Sequence, residues 1–292
     1  MKIMFPYFIC LLIISSNCFL NTLTNFPLKN YATTAKIKGF GYWLFGRDMK
    51  NVNLDDLSSK GVTDLFLNFY AFTLYPENEV LKWVANANKL NIRIHIWVQA
   101  FYRDDKWIDP TKTANKNILD TIKTEVKKYA LLKGVSGIHF DYLRYPSKAY
   151  EINGATEAIN TFIKTVVSLI HNVNSKCIIS AALMPETTES KKHYGQDYAA
   201  ISKYMDVVIP MIYKGNYKKN REWIETTTEW YVNNSKGASV WAGLQSYKND
   251  DDTTKLPLDE LKSDVKAALN KKANGVILFR YGLSNNINFK TL

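Results

Sequence analysis

The 292-residue chain is 46% hydrophobic and 22% charged, a composition that excludes disorder and supplies enough apolar mass for a large core. Its formal net charge of +11 favours anionic surfaces, but the lysines are spread along the chain rather than clustered, which argues against a nucleic-acid partner. Of its 3 cysteines, Cys10 and Cys18 fall in the opening segment and Cys177 stands alone beyond it, so no internal disulfide is expected.

The chain opens with Lys2, an apolar run from Ile3 to Ile14, and then Ser15, Ser16, Asn17 and Cys18. That order of basic, apolar and small residues is the layout of a secretory signal, with cleavage expected near Ser16 or Cys18. Residues 1–18 are therefore read as a signal peptide and 19–36 as a polar tether. The alternative is a retained signal anchor, because Ile3 to Leu20 approaches the roughly 20 residues of a membrane span. Asn17 is a poor neighbour for a lipidated Cys18. Membrane contact is expected only if the leader is kept, and the rest of the chain is expected to be secreted or held at the cell surface.

From Ile37 onward one junction recurs: a helical stretch, a stop signal, then a short apolar strand. The strands are expected at Ile37–Phe45, Val62–Phe69, Ile92–Val98, Val135–Phe140, Cys177–Leu183, Asp206–Tyr213, Ala238–Leu244 and Val276–Phe279. Between them, Lys116–Leu132, Ala155–Val173, Arg221–Asn233 and Leu258–Lys272 carry apolar residues at helical spacing. Strand and helix alternating over about 250 residues predict the α/β class and, within it, a single-domain (β/α)8 TIM barrel over 37–292. An open doubly wound sheet is the competing architecture, and the glycine-rich phosphate turn it normally carries is missing from the sequence. No cofactor is expected, and the barrel is expected to act as a monomer.

The segment Gly134–Pro146 stands out. A helix-stop glycine precedes an apolar strand with period two, Gly137, His139 and Asp141 on one face and Ile138 and Phe140 on the other, and the strand ends in Tyr142-Leu143-Arg144-Tyr145-Pro146. In a barrel the chemistry sits at the carboxyl ends of the strands. The same parity places Trp43, with Arg47 and Asp48 after it, at strand one; Asn68 and Tyr70 at strand two; and His95, Trp97 and Gln99 on strand three. It also places Glu186 after strand five, Tyr213 at strand six, Trp241 and Gln245 on strand seven, and Arg280 and Tyr281 after strand eight. His95 and His139 are as compatible with filling the lower barrel as with a site.

The run Gly-Ile-His-Phe-Asp-Tyr-Leu-Arg-Tyr-Pro resembles the strand-four signature of glycosyl-hydrolase-like (β/α)8 barrels, an apolar strand closing on Phe-Asp and then an aromatic-proline corner. Met211-Ile212-Tyr213 is similar to the strand-six turn of family 18, chitinase-like barrels. The resemblance implies a glycosidase working on a cell-wall or surface polysaccharide, with Trp and Tyr faces stacking on sugar rings. Against the chitinase-like pattern, His139 and Leu143 stand where acids are expected and Lys214 replaces an aspartate, so the substrate-assisted mechanism is not expected.

Glycoside hydrolysis otherwise needs one protonated carboxyl and one carboxylate. Asp141 is expected to be one. Glu186, in Leu183-Met184-Pro185-Glu186, is expected to face it from the next strand, with Asp48 in reserve. The substrate is expected to meet Trp43, Asp48, Tyr70, His95, Trp97, Gln99, His139, Arg144, Tyr213, Trp241, Gln245 and Arg280. The bland alternative for Asp141 is a salt bridge to Arg144 that pins the loop. Two other functions compete: an inactive, glycan-binding barrel, and a metal-dependent hydrolase with His95, His139 and Asp141 as ligands. The second lacks both a His-x-His pair and His-Glu-x-x-His, and no metal is expected.

Overall fold

The computed structural model describes residues 35–292. The expected leader and all but the last two residues of the tether lie outside the described residues. Eight parallel strands close into one barrel: β1 (Gly39–Leu44), β2 (Asp64–Asn68), β3 (Arg93–Gln99), β4 (Val135–Asp141), β5 (Ile178–Leu183), β6 (Val207–Ile212), β7 (Ser239–Gln245) and β8 (Gly275–Phe279). Neighbours in sequence are neighbours in the barrel, and β8 closes on β1.

The helices that cover β1 to β7 are α1 (Leu54–Ser59), α2 (Glu77–Lys89), α3 (Lys116–Leu131), α4 (Ala155–Val173), α5 (Tyr198–Tyr204), α6 (Arg221–Asn234) and α7 (Leu258–Asn270). After β8 the chain ends in a 3-10 turn, Phe289–Thr291, whose Phe289 ring lies on Phe40 and Tyr42 of β1. The longest, α4, begins after Gly154 at φ 76 and turns Ile159, Phe162, Ile163, Val166 and Ile170 inward. Burying each such side chain contributes about 1.5–3 kcal/mol, so packing on the barrel outweighs intrinsic helix propensity in holding it. Side-chain caps start several of the others: Asn53 for α1, Asp197 for α5 and Asn220 for α6 each accept a first-turn N–H.

Two apolar layers result. Ile94, Ile96, Ile138, Phe140, Leu65 and Leu67 belong to the outer one, between strands and helices. Trp43, Phe66, Trp97, Val207, Ile209, Trp241 and Ile277 fill the barrel itself. The amino end of the barrel is plugged by Trp241, whose indole N–H donates to the carbonyl of Ile37 at 2.8 Å. A Cβ on Gly39 would come within 2.2 Å of that indole, so only glycine admits it.

The expected strands ran one or two residues long at several amino ends, where Val62, Ile92 and Cys177 are apolar because they pack in the outer core and Ile37 because it packs against the barrel filling. Two hairpins were not expected: Tyr102–Arg103 with Lys106–Trp107, and Tyr247–Asn249 with Asp252–Lys255. Both rise from the carboxyl end, after β3 and β7. The first turns on Asp104 and Asp105, both at positive φ (49° and 58°), the backbone of a two-residue hairpin turn, and Asp-Asp between aromatic-bearing arms is its sequence signal.

Candidate active site

Alternation along each strand fixes which side chains enter the barrel, and height along the strand decides what they do there. At the amino end, Asp64 is fully buried. Its carboxylate accepts from Arg93 Nε and Nη2, both at 2.8 Å, from His95 Nε2 at 2.8 Å and from Thr63 Oγ1 at 2.6 Å. Burial alone would raise its pKa; the hydrogen bonds and charges of His95 and Arg93 overturn that and hold it below the ordinary value.

One level up, His139 is also fully buried. The indole of Trp43 donates to its Nε2 at 3.1 Å, so that nitrogen is an acceptor and the proton sits on Nδ1, 2.9 Å from Ser180 Oγ. Burial, then the neighbouring His95, push its pKa well down, in keeping with a neutral ring.

Above these layers a cavity of about 830 Å³ opens at the carboxyl ends of the strands. Its wall includes Trp43, Phe45, Tyr70, Trp97, Tyr142, Tyr213, Tyr217 and Phe279, with Asn68, Gln99, Arg47, Arg144 and Asn216 as polar members. Two carboxyl groups reach it among the described residues, Asp141 and Asp250. Asp141 closes β4. Its Oδ2 accepts from Trp97 Nε1 at 3.1 Å and its Oδ1 from the N–H of Tyr142 at 2.7 Å. Burial raises its pKa above the ordinary carboxylate value, and the Tyr142 N–H, the Arg144 charge and the Trp97 indole offset only part of that.

Tyr142 holds φ 51, an uncommon backbone for an aromatic residue, and its ring stacks on Tyr102 at 4.9 Å. After this kink Leu143 turns into the outer core and is fully buried, so the place of a chitinase-type acid is occupied by packing. Arg144 does not pin Asp141 through a salt bridge. Its Nη1 donates to the carbonyl of Tyr145 at 3.0 Å, and its guanidinium lies 4.9 Å from the Trp107 ring and 5.4 Å from that of Tyr142. Tyr145 is buried and anchors the loop by donating to Asp109 Oδ1 at 2.8 Å.

Asp250 sits at the turn of the second hairpin. Its Oδ2 accepts from Asn216 Nδ2 at 2.8 Å and its Oδ1 from Tyr247 OH at 2.7 Å. Gln245 supports it indirectly, donating to Asn216 Oδ1 at 3.0 Å. Asp250 and Asp141 both act on Tyr213, whose pKa is raised well above the ordinary value chiefly by burial.

Of the residues expected from sequence, Trp43, Arg47, Asn68, Tyr70, Trp97, Gln99, Asp141, Arg144 and Tyr213 line the cavity. The others do not. His95 and Trp241 have no exposed surface and belong to the amino-end plug, and His139 lies under the floor. Buried Gln245 touches only the support of Asp250. Asp48 and Arg280 face each other at 3.7 Å beside the cavity, the guanidinium lying 4.3 Å from the Phe45 ring. Nor do Asp141 and Glu186 share one cleft. Glu186 lies past Pro185 at the start of a 3-10 turn, Thr187–Glu189, and its Oε1 accepts from Tyr194 OH at 3.0 Å and Tyr217 OH at 2.7 Å. The proposed metal set does not converge either: His95 Nε2 is engaged by Asp64, and His139 by Trp43 and Ser180.

Residues 80–255, from within α2 to the end of the second hairpin, match the family described as "Putative glycosyl hydrolase domain". The chain belongs to this family. The matched stretch of this glycosyl hydrolase domain contains Asp141, Glu186 and Asp250. Among solved structures it is similar to the PgaB (BpsB) glycoside hydrolase domain of Bordetella bronchiseptica, with 9% identity and a TM-score of 0.66 over 85% of this chain and 95% of that one. It is also similar to the spore cortex-lytic enzyme SleL of Bacillus megaterium, with 15% identity and a TM-score of 0.62 over 89% and 74%. A chitinase from Cycas revoluta in complex with (GlcNAc)3 gives 11% identity and a TM-score of 0.60 over 84% and 95%. At these identities the likeness is one of fold. The comparison with curated proteins gave no match.

Proposed function

We propose that this glycosyl hydrolase domain is secreted and cleaves a cell-wall or surface polysaccharide, with Asp141 as the proton donor to the leaving oxygen. The observation that carries the reading is the state of Asp141: a carboxyl at the end of β4, on the wall of an aromatic cavity, with its pKa raised by burial. A raised carboxyl keeps its proton into the pH range where hydrolysis runs and gives it up in the transition state. The second carboxylate that the reaction requires is Asp250, which shares the cavity and is held by Asn216 and Tyr247. The aromatic wall suits the apolar faces of sugar rings. The basic chain, +11 in full and +10 once the leader takes Lys2 with it, would be drawn to an anionic wall. No helix among the described residues is long and apolar enough to cross a membrane.

The test is reducing-end release from a panel of wall polysaccharides. Asp141→Asn and Asp250→Asn should each lower kcat by about 10²–10⁴-fold with KM little changed. Full turnover in Asp141→Asn would remove it as the acid, and full turnover in Asp250→Asn would remove Asp250 as its partner. Mass spectrometry of the protein recovered from culture medium should show a chain beginning near Cys18.

A further inference from the structure

Beside the catalytic cavity lies a second hollow of about 600 Å³, and Tyr217 forms part of the wall of both. Glu186, Trp223 and Trp230 line it, with Thr226 on its margin. Both indoles are half-buried, and Trp223 lies against Tyr217 with ring centroids 5.1 Å apart. Glu186 gives one oxygen to two tyrosine hydroxyls, whereas its Oε2 is shielded from solvent and has no partner. A shielded carboxylate oxygen without a donor is unfavourable unless something supplies one.

We propose that this groove is an outlying carbohydrate subsite, which holds sugar units of the same polysaccharide chain several residues from the bond cleaved at Asp141. The proposal rests on the hydrolase reading for the direction of the chain. Three features fix the class of occupant. Indole faces suit the apolar side of a pyranose ring. Glu186 Oε2, shielded and without a donor, accepts from a sugar hydroxyl or amine once the side chain turns toward it. The shared Tyr217 sets the groove directly beside the catalytic cavity, within reach of a chain too long for the cavity. Burial and then the adjoining Glu186 push the Tyr194 hydroxyl up to about 12 and raise Tyr217 as well, so both stay protonated and keep donating to Oε1. Oε2 is thereby left as the carboxylate oxygen without a donor.

Binding is measured in the Asp141→Asn protein, so that the result does not depend on hydrolysis. The probes are the disaccharides and hexasaccharides of β-1,4-linked N-acetylglucosamine, glucosamine, glucose and mannose, titrated by calorimetry. At least one hexasaccharide should bind about tenfold more tightly than its disaccharide, the gain of one added stacking contact. Adding Trp223→Ala should remove that advantage and leave disaccharide affinity within about twofold. Because Trp223 also packs on the core, Thr226→Trp, which fills the groove from an exposed position, is the second variant and should act in the same way. Glu186→Gln should remove part of the advantage. The proposal is overturned if no hexasaccharide outbinds its disaccharide, or if both groove variants keep the full advantage. If the groove results hold but the wild-type protein releases no reducing ends, the hydrolase reading fails and the subsite stands.

Discussion

Asp64 and Asp141 both point into the barrel, at opposite ends, and their surroundings treat them in opposite ways. Asp64 is met by an arginine, a histidine and a threonine, and its pKa falls; Asp141 is met by one indole and one backbone N–H, and its pKa rises. Burial pushes both upward, so the difference lies in the number and charge of the donors. The amino end is built to keep a charge. The carboxyl end is built to keep a proton available, and the cavity opens only there.

The largest effect expected is on turnover. Asp141→Asn should cost about 10²–10⁴-fold in kcat, and Asp64→Asn, measured per folded molecule, should cost almost nothing. A comparable loss from Asp64→Asn, with the fold intact, would break the contrast. Stability should follow the reverse order. Asp64→Asn leaves Arg93 and His95 facing an amide and should cost about 3 kcal/mol in denaturant melts, at the low end for a buried pair because the Arg93 side chain is 32% exposed. Asp141→Asn should leave the midpoint unchanged or raise it.

The pH dependence of folding sharpens the same contrast. A lowered carboxyl such as Asp64 contributes stability that is present above its ordinary value of 3.8 and is lost as pH falls through its folded-state value. A raised carboxyl such as Asp141 has the opposite sign: it costs nothing below 3.8, and the cost grows as pH rises from there to its folded-state value. Melting midpoints from pH 2 to pH 8 should therefore show a weaker acid collapse in Asp64→Asn than in wild type. Asp141→Asn should gain relative to wild type as pH rises above 3.8. Parallel curves for all three proteins would contradict the assignment.

The two ends also differ in how much of them the sequence disclosed. Period-two alternation identified the inward face, and His95, Trp97, His139, Asp141, Trp241 and Gln245 all point inward. It said nothing about height. Register sets height, and register is a property of the closed sheet: Trp241 pairs at the level of Gly275, which pairs with Gly39, at the bottom of the barrel. Trp241 and His95 thus read as site residues while serving as the plug. Asp250 was missed for a different reason. It lies on a hairpin turn far along the chain from Asp141, and only its contacts with Asn216 and Tyr247 turn it toward the cavity. Glu186 misled because parity stops being a guide where Pro185 ends the strand and the chain enters a 3-10 turn. A loop residue's direction follows from long-range contacts that no local pattern encodes.

The smallest effect tests whether Asp141 is tuned by the few donors it has. The Trp97 indole donates to Oδ2 at 3.1 Å, a bond that favours the charged form and so works against burial. Trp97→Phe removes that donor and keeps a ring against Phe45, which Trp97 now faces at 5.8 Å and 23°. Without the donor, the pKa of Asp141 rises further. For a proton donor the active form is the protonated one, so activity is lost as pH rises through that pKa, and the alkaline limb of kcat should move to higher pH. A single hydrogen bond contributes about 1 kcal/mol, which corresponds to a shift of somewhat under one pH unit. Profiles of kcat against pH for the two proteins on one polysaccharide measure it. A shift of the acid limb to higher pH instead would mean that Asp141 works as a base or nucleophile, and unmoved limbs would mean that some other group sets them.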